Sequence, residues 1–374
     1  MKINQSFSLF TILIAVFCSS AKISYSQNDE KTPVRFSVAY LSGQNKPHRP
    51  VIENLTFPYR GVELKAGWQS LGKQPWQVAY RYPAYGVGFN WSTFKTDILG
   101  APASLFFFTN FPQVTTRLVQ LDLEVDVGLS YGINPYHPVK NPENFSTGSS
   151  LNAFVGFHLE QSFNLGKHLD IFTSQGITHY SNGAIGYPNL GLNIIPSLKF
   201  GMRYQPDYVE IIKLKEKLEF DPNWQLNIYV GGGKKMLQNP NNTYHEILIS
   251  PSIYYRIGYK RRVGIAYDIT YNEAITGVWT RRDETGKELI MQAALVSHEF
   301  LINKFTILTQ VGFYVHNLPF DKVLYNRFDK DCTISRLGIG YYITPWSRAV
   351  LNLKAHYIKA EYVEVGLVFD LNIK

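Results

Sequence analysis

The chain has 374 residues, of which 15% are aromatic (25 Tyr, 24 Phe, 6 Trp) and only 18% charged, with a net charge of +8, a pI near 9.1 and a mean hydropathy of -0.14. Beyond the leader, no apolar run reaches the roughly 18 residues that a membrane helix requires, which excludes helical spanning. With Cys18 and Cys332 the only cysteines, and Cys18 in the leader, a disulfide framework is excluded as well.

In chain order, Met1 to Ser26 opens with Lys2, continues through the apolar run from Phe7 to Phe17 and closes in small and polar residues. That is the pattern of a Sec signal peptide, residues 1–26, with export as its consequence. Phe17 is bulky where a lipoprotein site at Cys18 needs a small residue. For an exported chain without a recognition motif, the basic excess points away from nucleic acid and toward anionic lipid head groups.

Residues 27–374 read as one antiparallel transmembrane β-barrel, all-β, of about 12 to 16 strands. The first third is the least regular: pieces at Arg35–Leu41, Gly61–Gln69, Tyr85–Trp91 and Ser104–Phe108 supply two to four strands or a segment lying across the barrel. From Val119 the alternation is plain. Leu121, Leu123, Val125, Val127, Leu129 and Tyr131 share one face, and Gln120, Asp122, Glu124, Asp126 and Ser130 the other. A row of three acidic groups is intolerable in lipid, so that face lines a polar interior. The same logic turns Ile194, Pro196, Leu198, Phe200, Met202 and Tyr204 outward and Ser197, Lys199 and Arg203 inward. Further strands are read at 150–166, 168–181, 224–233, 244–259, 263–271, 288–300, 305–315, 333–343 and 348–358, and the chain closes on an alternating run from Val363 to Ile373. Short turns near Lys167, Lys260, Asn303 and Pro345 fall at one end, the periplasmic one by the convention of such barrels. The long connections, among them 133–148, 234–242, 272–287 and 317–331, fall at the other, together with 182–193. The connection 205–223 is long on the periplasmic side, and its Lys/Glu-rich core at 213–217 reads as a short helix.

The stretch around that last extracellular loop groups reactive side chains. His179 and Ser181 stand at i and i+2, so on a strand they share one face. A hydroxyl beside an imidazole is the minimal pairing of nucleophile and base. Asn182-Gly183 is a turn signal that also offers a side-chain or backbone donor, and Pro188-Asn189-x-Gly191 is a loop of residues that tolerate unusual backbone angles.

The string His179-x-Ser181-Asn182 followed by Asn189-x-Gly191-x-Asn193 resembles the signature of the PagL-type lipid A 3-O-deacylases and the acyloxyacyl-hydrolase-like proteins grouped with them, over residues 176–204. The resemblance implies an outer-membrane serine esterase of a Gram-negative bacterium, acting without cofactor or metal on an ester-linked acyl chain of lipid A or a related outer-leaflet lipid. It further implies Ser181 as nucleophile, His179 as base and Asn189 as oxyanion donor, with Asn182 and Gly183 beside it. Arg281 and Arg282, in a long extracellular connection, are candidates to meet the lipid A phosphates. The departure is Asn193, which stands where the family pattern has the glutamate that orients the histidine. An asparagine oxygen can accept from an imidazole and set its tautomer, but adds no charge; Glu246 is a candidate substitute carboxylate. His137, His158, His168, His245, His298, His316 and His356 show no metal-site spacing. The rival reading, from another class, is a non-catalytic barrel: a channel or a component of a secretion or surface assembly.

Overall fold

The computed structural model describes residues 32–183, 187–209, 218–236, 243–273, 289–316, 332–356 and 359–371. The expected leader, the helix expected at 213–217, and Arg281 and Arg282 lie outside the described residues. Alternating apolar and polar side chains produce sixteen strands among the described residues, every pair antiparallel. β1 (Val34–Asn45), β2 (Pro58–Gln69), β3 (Ala84–Thr93), β4 (Gly100–Thr115), β5 (Val119–Ile133), β6 (Leu151–Asn164), β7 (Leu169–Ser181) and β8 (Leu192–Tyr204) form one closed barrel, in which β8 bonds back to β1. β9 (Trp224–Met236), β10 (Thr243–Arg256), β11 (Arg261–Asn272), β12 (Ile290–Ile302), β13 (Phe305–His316), β14 (Thr333–Thr344), β15 (Ser347–His356) and β16 (Lys359–Leu371) form a second, closed by β16 against β9.

The all-β antiparallel barrel class and the strand total agree with the sequence reading, but the single barrel over 27–374 is corrected to two. The physical reason is the pairing of β8, which spends its free edge on β1, 150-odd residues earlier, and leaves β9 to start a new ladder. Period-two patterning specifies strands and faces; it does not say which edges meet. The irregular first third is four complete strands, β1 to β4.

Outward positions form an apolar coat, for instance Phe36, Val38 and Tyr40 on β1, Phe157 on β6, Phe200 and Met202 on β8, and Ile265, Val296, Val311 and Leu337 on the second barrel. Inward positions are polar, and their charges are matched. In the first barrel Lys199 Nζ lies 2.7 Å from Glu124, 3.0 Å from Asp126 and 3.0 Å from Glu63, and Lys65 Nζ lies 2.6 Å from Glu124. Asp122, Glu124 and Asp126 are fully buried, as the alternation of β5 requires. Toward the end that carries the loops after β1, β3, β5 and β7, this ionic layer gives way to an apolar one built from Tyr59, Phe94, Leu99, Phe106, Phe154 and Ile194 among others. In the second barrel Arg336 bonds Asp268 at 2.7 Å and Glu364 at 2.7 Å, and Arg262 and Arg348 share Glu299. Breaking such a pair from one side leaves an unpaired buried charge, which is why the partners come as sets.

One inward residue departs from the expected alternation. Ile194 is buried in the apolar layer, not lipid-facing, because β8 carries one extra residue there: Gly176 faces Ser197 but Thr178 faces Ile194. A bulge of one residue exchanges the two faces of the strand beyond it. Its effect is to turn the neighbouring Asn193 to the outside of the barrel.

Candidate active site

β7 alternates strictly: Phe172, Ser174, Thr178 and Tyr180 point inward and are buried, while His179 and Ser181 are half-buried on the outer wall, at the loop-bearing end. The expected shared face is therefore present, and it is the outer side of the first barrel's wall. Beneath it, Tyr180 is pinned from inside by a 2.8 Å hydroxyl contact with Tyr59. Across the ladder His179 is the direct partner of Asn193, so the bulge of β8 delivers the asparagine to the imidazole. Nδ1 of His179 lies 2.7 Å from Oδ1 of Asn193. An amide oxygen only accepts, so this contact assigns the proton to Nδ1 and leaves Nε2 as the basic nitrogen.

Ser181 Oγ accepts the Gly183 N–H at 3.2 Å. Among the described residues this, not the imidazole, is its partner; in hydrolases the nucleophile–base contact often tightens only when substrate is bound. Gly183 has φ +61° and Gly191 φ +75°, left-handed values that a side chain disfavours. Gly191 is also constrained by contact: a Cβ there would lie 2.8 Å from Cε1 of His179 and 2.8 Å from the Tyr180 carbonyl oxygen. The glycine of the Asn-x-Gly motif is thus the residue that lets the loop lie flat against the imidazole edge.

The loop between β5 and β6 holds this one in place. Gly191 N–H donates to the Ser146 carbonyl at 2.8 Å, Gly148 N–H to that of Pro188 at 2.7 Å, and Thr147 bridges to Asn189. Phe145 meets Tyr136 and Tyr187 edge-on at 5.2 and 5.5 Å. The backbone of Asn189 is thereby fixed against the β5–β6 loop. Asn182 is buried and its amide donates to the Pro188 carbonyl at 3.0 Å, so this side chain braces the loop; the Gly183 N–H, already aimed at the serine oxygen, is the nearer donor.

Glu246 does not belong to the site. It points into the second barrel, where Lys354 Nζ lies 2.9 Å away and the Tyr362 hydroxyl 2.5 Å away, so it cannot orient His179. Glu124, Asp126 and His158 come within 4.8 Å of one another at potential metal-ligating atoms, but the Lys199 ammonium already binds both carboxylates there. The residue that sequence reasoning missed is His48, in the loop after β1, whose Nδ1 lies 3.0 Å from Nδ2 of Asn193. Nothing in local spacing marks it; only the closure of β8 on β1 brings it near.

A closed antiparallel barrel with an apolar coat and a paired ionic interior has the architecture of an outer-membrane barrel, and an imidazole and a serine share a face on its outer wall. Residues 60–203 match the family model described as lipid A 3-O-deacylase (PagL), and residues 224–373 that described as acyloxyacyl hydrolase, C-terminal domain. The chain belongs to this PagL-type family of outer-membrane ester hydrolases, with one match in each barrel. Among solved structures it is similar to Neisserial surface protein A, at 10% identity and a TM-score of 0.33 over 46% of this chain and 96% of that one. It is also similar to a mutant Rh. blastica porin, at 9% identity and a TM-score of 0.18 over 90% and 100%. No curated protein matches it.

Proposed function

We propose that this protein is a serine esterase that removes an ester-linked acyl chain from lipid A or a related outer-leaflet lipid. The observation that carries the reading is the outward face of β7 and β8, where Ser181 and His179 stand together and Asn193 assigns the imidazole tautomer at 2.7 Å. In the mechanism, Ser181 Oγ attacks the ester carbonyl while His179 Nε2 takes its proton. The Gly183 N–H and the Asn189 amide stabilise the oxyanion, and the proton passes to the departing lipid hydroxyl. Water then hydrolyses the acyl-enzyme, with His179 again as base. The location supports a lipid substrate, since a face on the outer wall is reached laterally from the bilayer. The channel reading is disfavoured by the filled interior of the first barrel, ionic in one layer and aromatic in the next.

Ser181→Ala tests this directly. Lipid A from cells expressing the wild-type protein should lose an acyl chain by mass spectrometry. Lipid A from cells expressing the variant, folded by heat-modifiable gel mobility, should not. Equal deacylation by both would end the serine-esterase reading.

A further inference from the structure

The asparagine that stands in for the family carboxylate creates a problem that a carboxylate does not have. A carboxylate presents oxygen from either rotation, but an amide presents oxygen on one side and NH2 on the other. If the amide turned over, Nδ2 would donate to His179 Nδ1, the imidazole proton would move to Nε2, and the base would be lost. In a serine protease the wrong tautomer costs about 10⁴ in kcat. Something must decide which way Asn193 faces.

The backbone of Asn193 is moored on both sides: its N–H donates to Asn45 Oδ1 at 3.0 Å, and its carbonyl accepts the Lys46 N–H at 2.7 Å. Asn45 is buried and donates its own amide to the Leu55 carbonyl at 2.6 Å, which ties the loop after β1 to the end of β8. These bonds hold the Cα but leave the terminal amide free to turn. Among the described residues, its partner on the far side is the His48 ring, Nδ1 to Nδ2 at 3.0 Å. We propose that His48 is a positioning residue of this esterase: its unprotonated Nδ1 accepts the Asn193 NH2, and so commits the Asn193 oxygen to His179.

Burial and the neighbouring charge of Arg49 hold the His48 imidazole below its ordinary pKa, which favours the neutral ring that can accept. The chain His48–Asn193–His179 then has a single sense of donation, each member giving or receiving one proton. A carboxylate in the middle would not need the outer histidine.

This inference rests on the serine-esterase reading, and the test separates the two. Deacylation of purified lipid A in detergent is measured for the wild type and for Ser181→Ala, His48→Ala, His48→Asn and Asn193→Asp, and for His48→Ala combined with Asn193→Asp. Outer-shell partners that orient a metal-bound imidazole are typically worth roughly 10- to 100-fold in activity, and the same order is expected of a residue that orients the amide beside His179. His48→Ala should therefore lose that much in kcat with KM nearly unchanged. His48→Asn, whose amide oxygen falls close to the Nδ1 position, should recover most of it. In the Asn193→Asp background, removing His48 should cost less than about threefold, since no amide remains to be oriented. A merely structural histidine would cost the same in both backgrounds, and that result, or full activity of His48→Ala beside an inactive Ser181→Ala, would overturn the assignment. Activity of Ser181→Ala would instead overturn the esterase reading itself.

Discussion

His179 and Asn193 are directly opposed across the β7–β8 ladder, with 2.7 Å between Nδ1 and Oδ1, only because β8 carries one residue more than β7 needs. Had the alternation of Ser197, Lys199 and Arg203 run on unbroken, Asn193 would face the barrel interior, and Ile194 the lipid. The bulge is therefore part of the candidate site.

Asn193→Glu restores the carboxylate of the family pattern at this position. It should keep or raise kcat and displace the pH–rate profile, because a charge now stands beside the imidazole. If the variant folds but its kcat falls more than tenfold with an unmoved profile, Asn193 does not orient the base.

Gly191→Ala should leave the barrel folded and inactivate the site. The new Cβ, at 2.8 Å from His179 Cε1, displaces either the ring or the loop, and a misplacement of about 1 Å costs on the order of 10²-fold in rate. The left-handed φ adds about 1 to 2 kcal/mol of local strain. Kinetics alongside heat-modifiable mobility checks it; an active Gly191→Ala would show that the loop does not bear on the imidazole.

Asn189→Ala should lower kcat by roughly 10² to 10³ with little change in KM if its amide serves the oxyanion. The Thr147 bridge is a backbone contact and survives the substitution. A loss in KM alone would reassign Asn189 to substrate binding.

Lys199→Met addresses the fold. It removes the cation shared by Glu63, Glu124 and Asp126 and leaves Lys65 as the nearest compensation. Removing one side of a buried pair typically costs about 3 to 5 kcal/mol, so the urea midpoint should fall markedly. Adding Asp126→Asn should recover part of the loss, whereas a midpoint unchanged by Lys199→Met would show that the ionic layer is dispensable.

Much of this was legible in the chain itself, for a physical reason. Asp122, Glu124 and Asp126 on one side of β5 and leucine and valine on the other can be satisfied only by a wall with a polar lumen, and a pair two residues apart, such as His179 and Ser181, shares a face whatever the rest does. What was not legible depends on contacts distant in sequence. Two barrels rather than one, the inward turn of Ile194 and the approach of His48 to Asn193 all follow from β8 pairing with β1, and no local pattern records that choice. Glu246 shows the converse: it suited the needed chemistry and the expected end of a strand, but the interior of the other barrel, with Lys354 waiting, had the stronger claim on it.

On the proposed reading, with His179 and Ser181 on the outer wall, the substrate arrives by collision within a plane. The quantity that sets its rate is then the mole fraction of cleavable lipid in the leaflet, not a volume concentration. Diluting the substrate with inert lipid at constant total lipid should slow turnover in proportion, while diluting the whole suspension with buffer should leave the rate per enzyme unchanged.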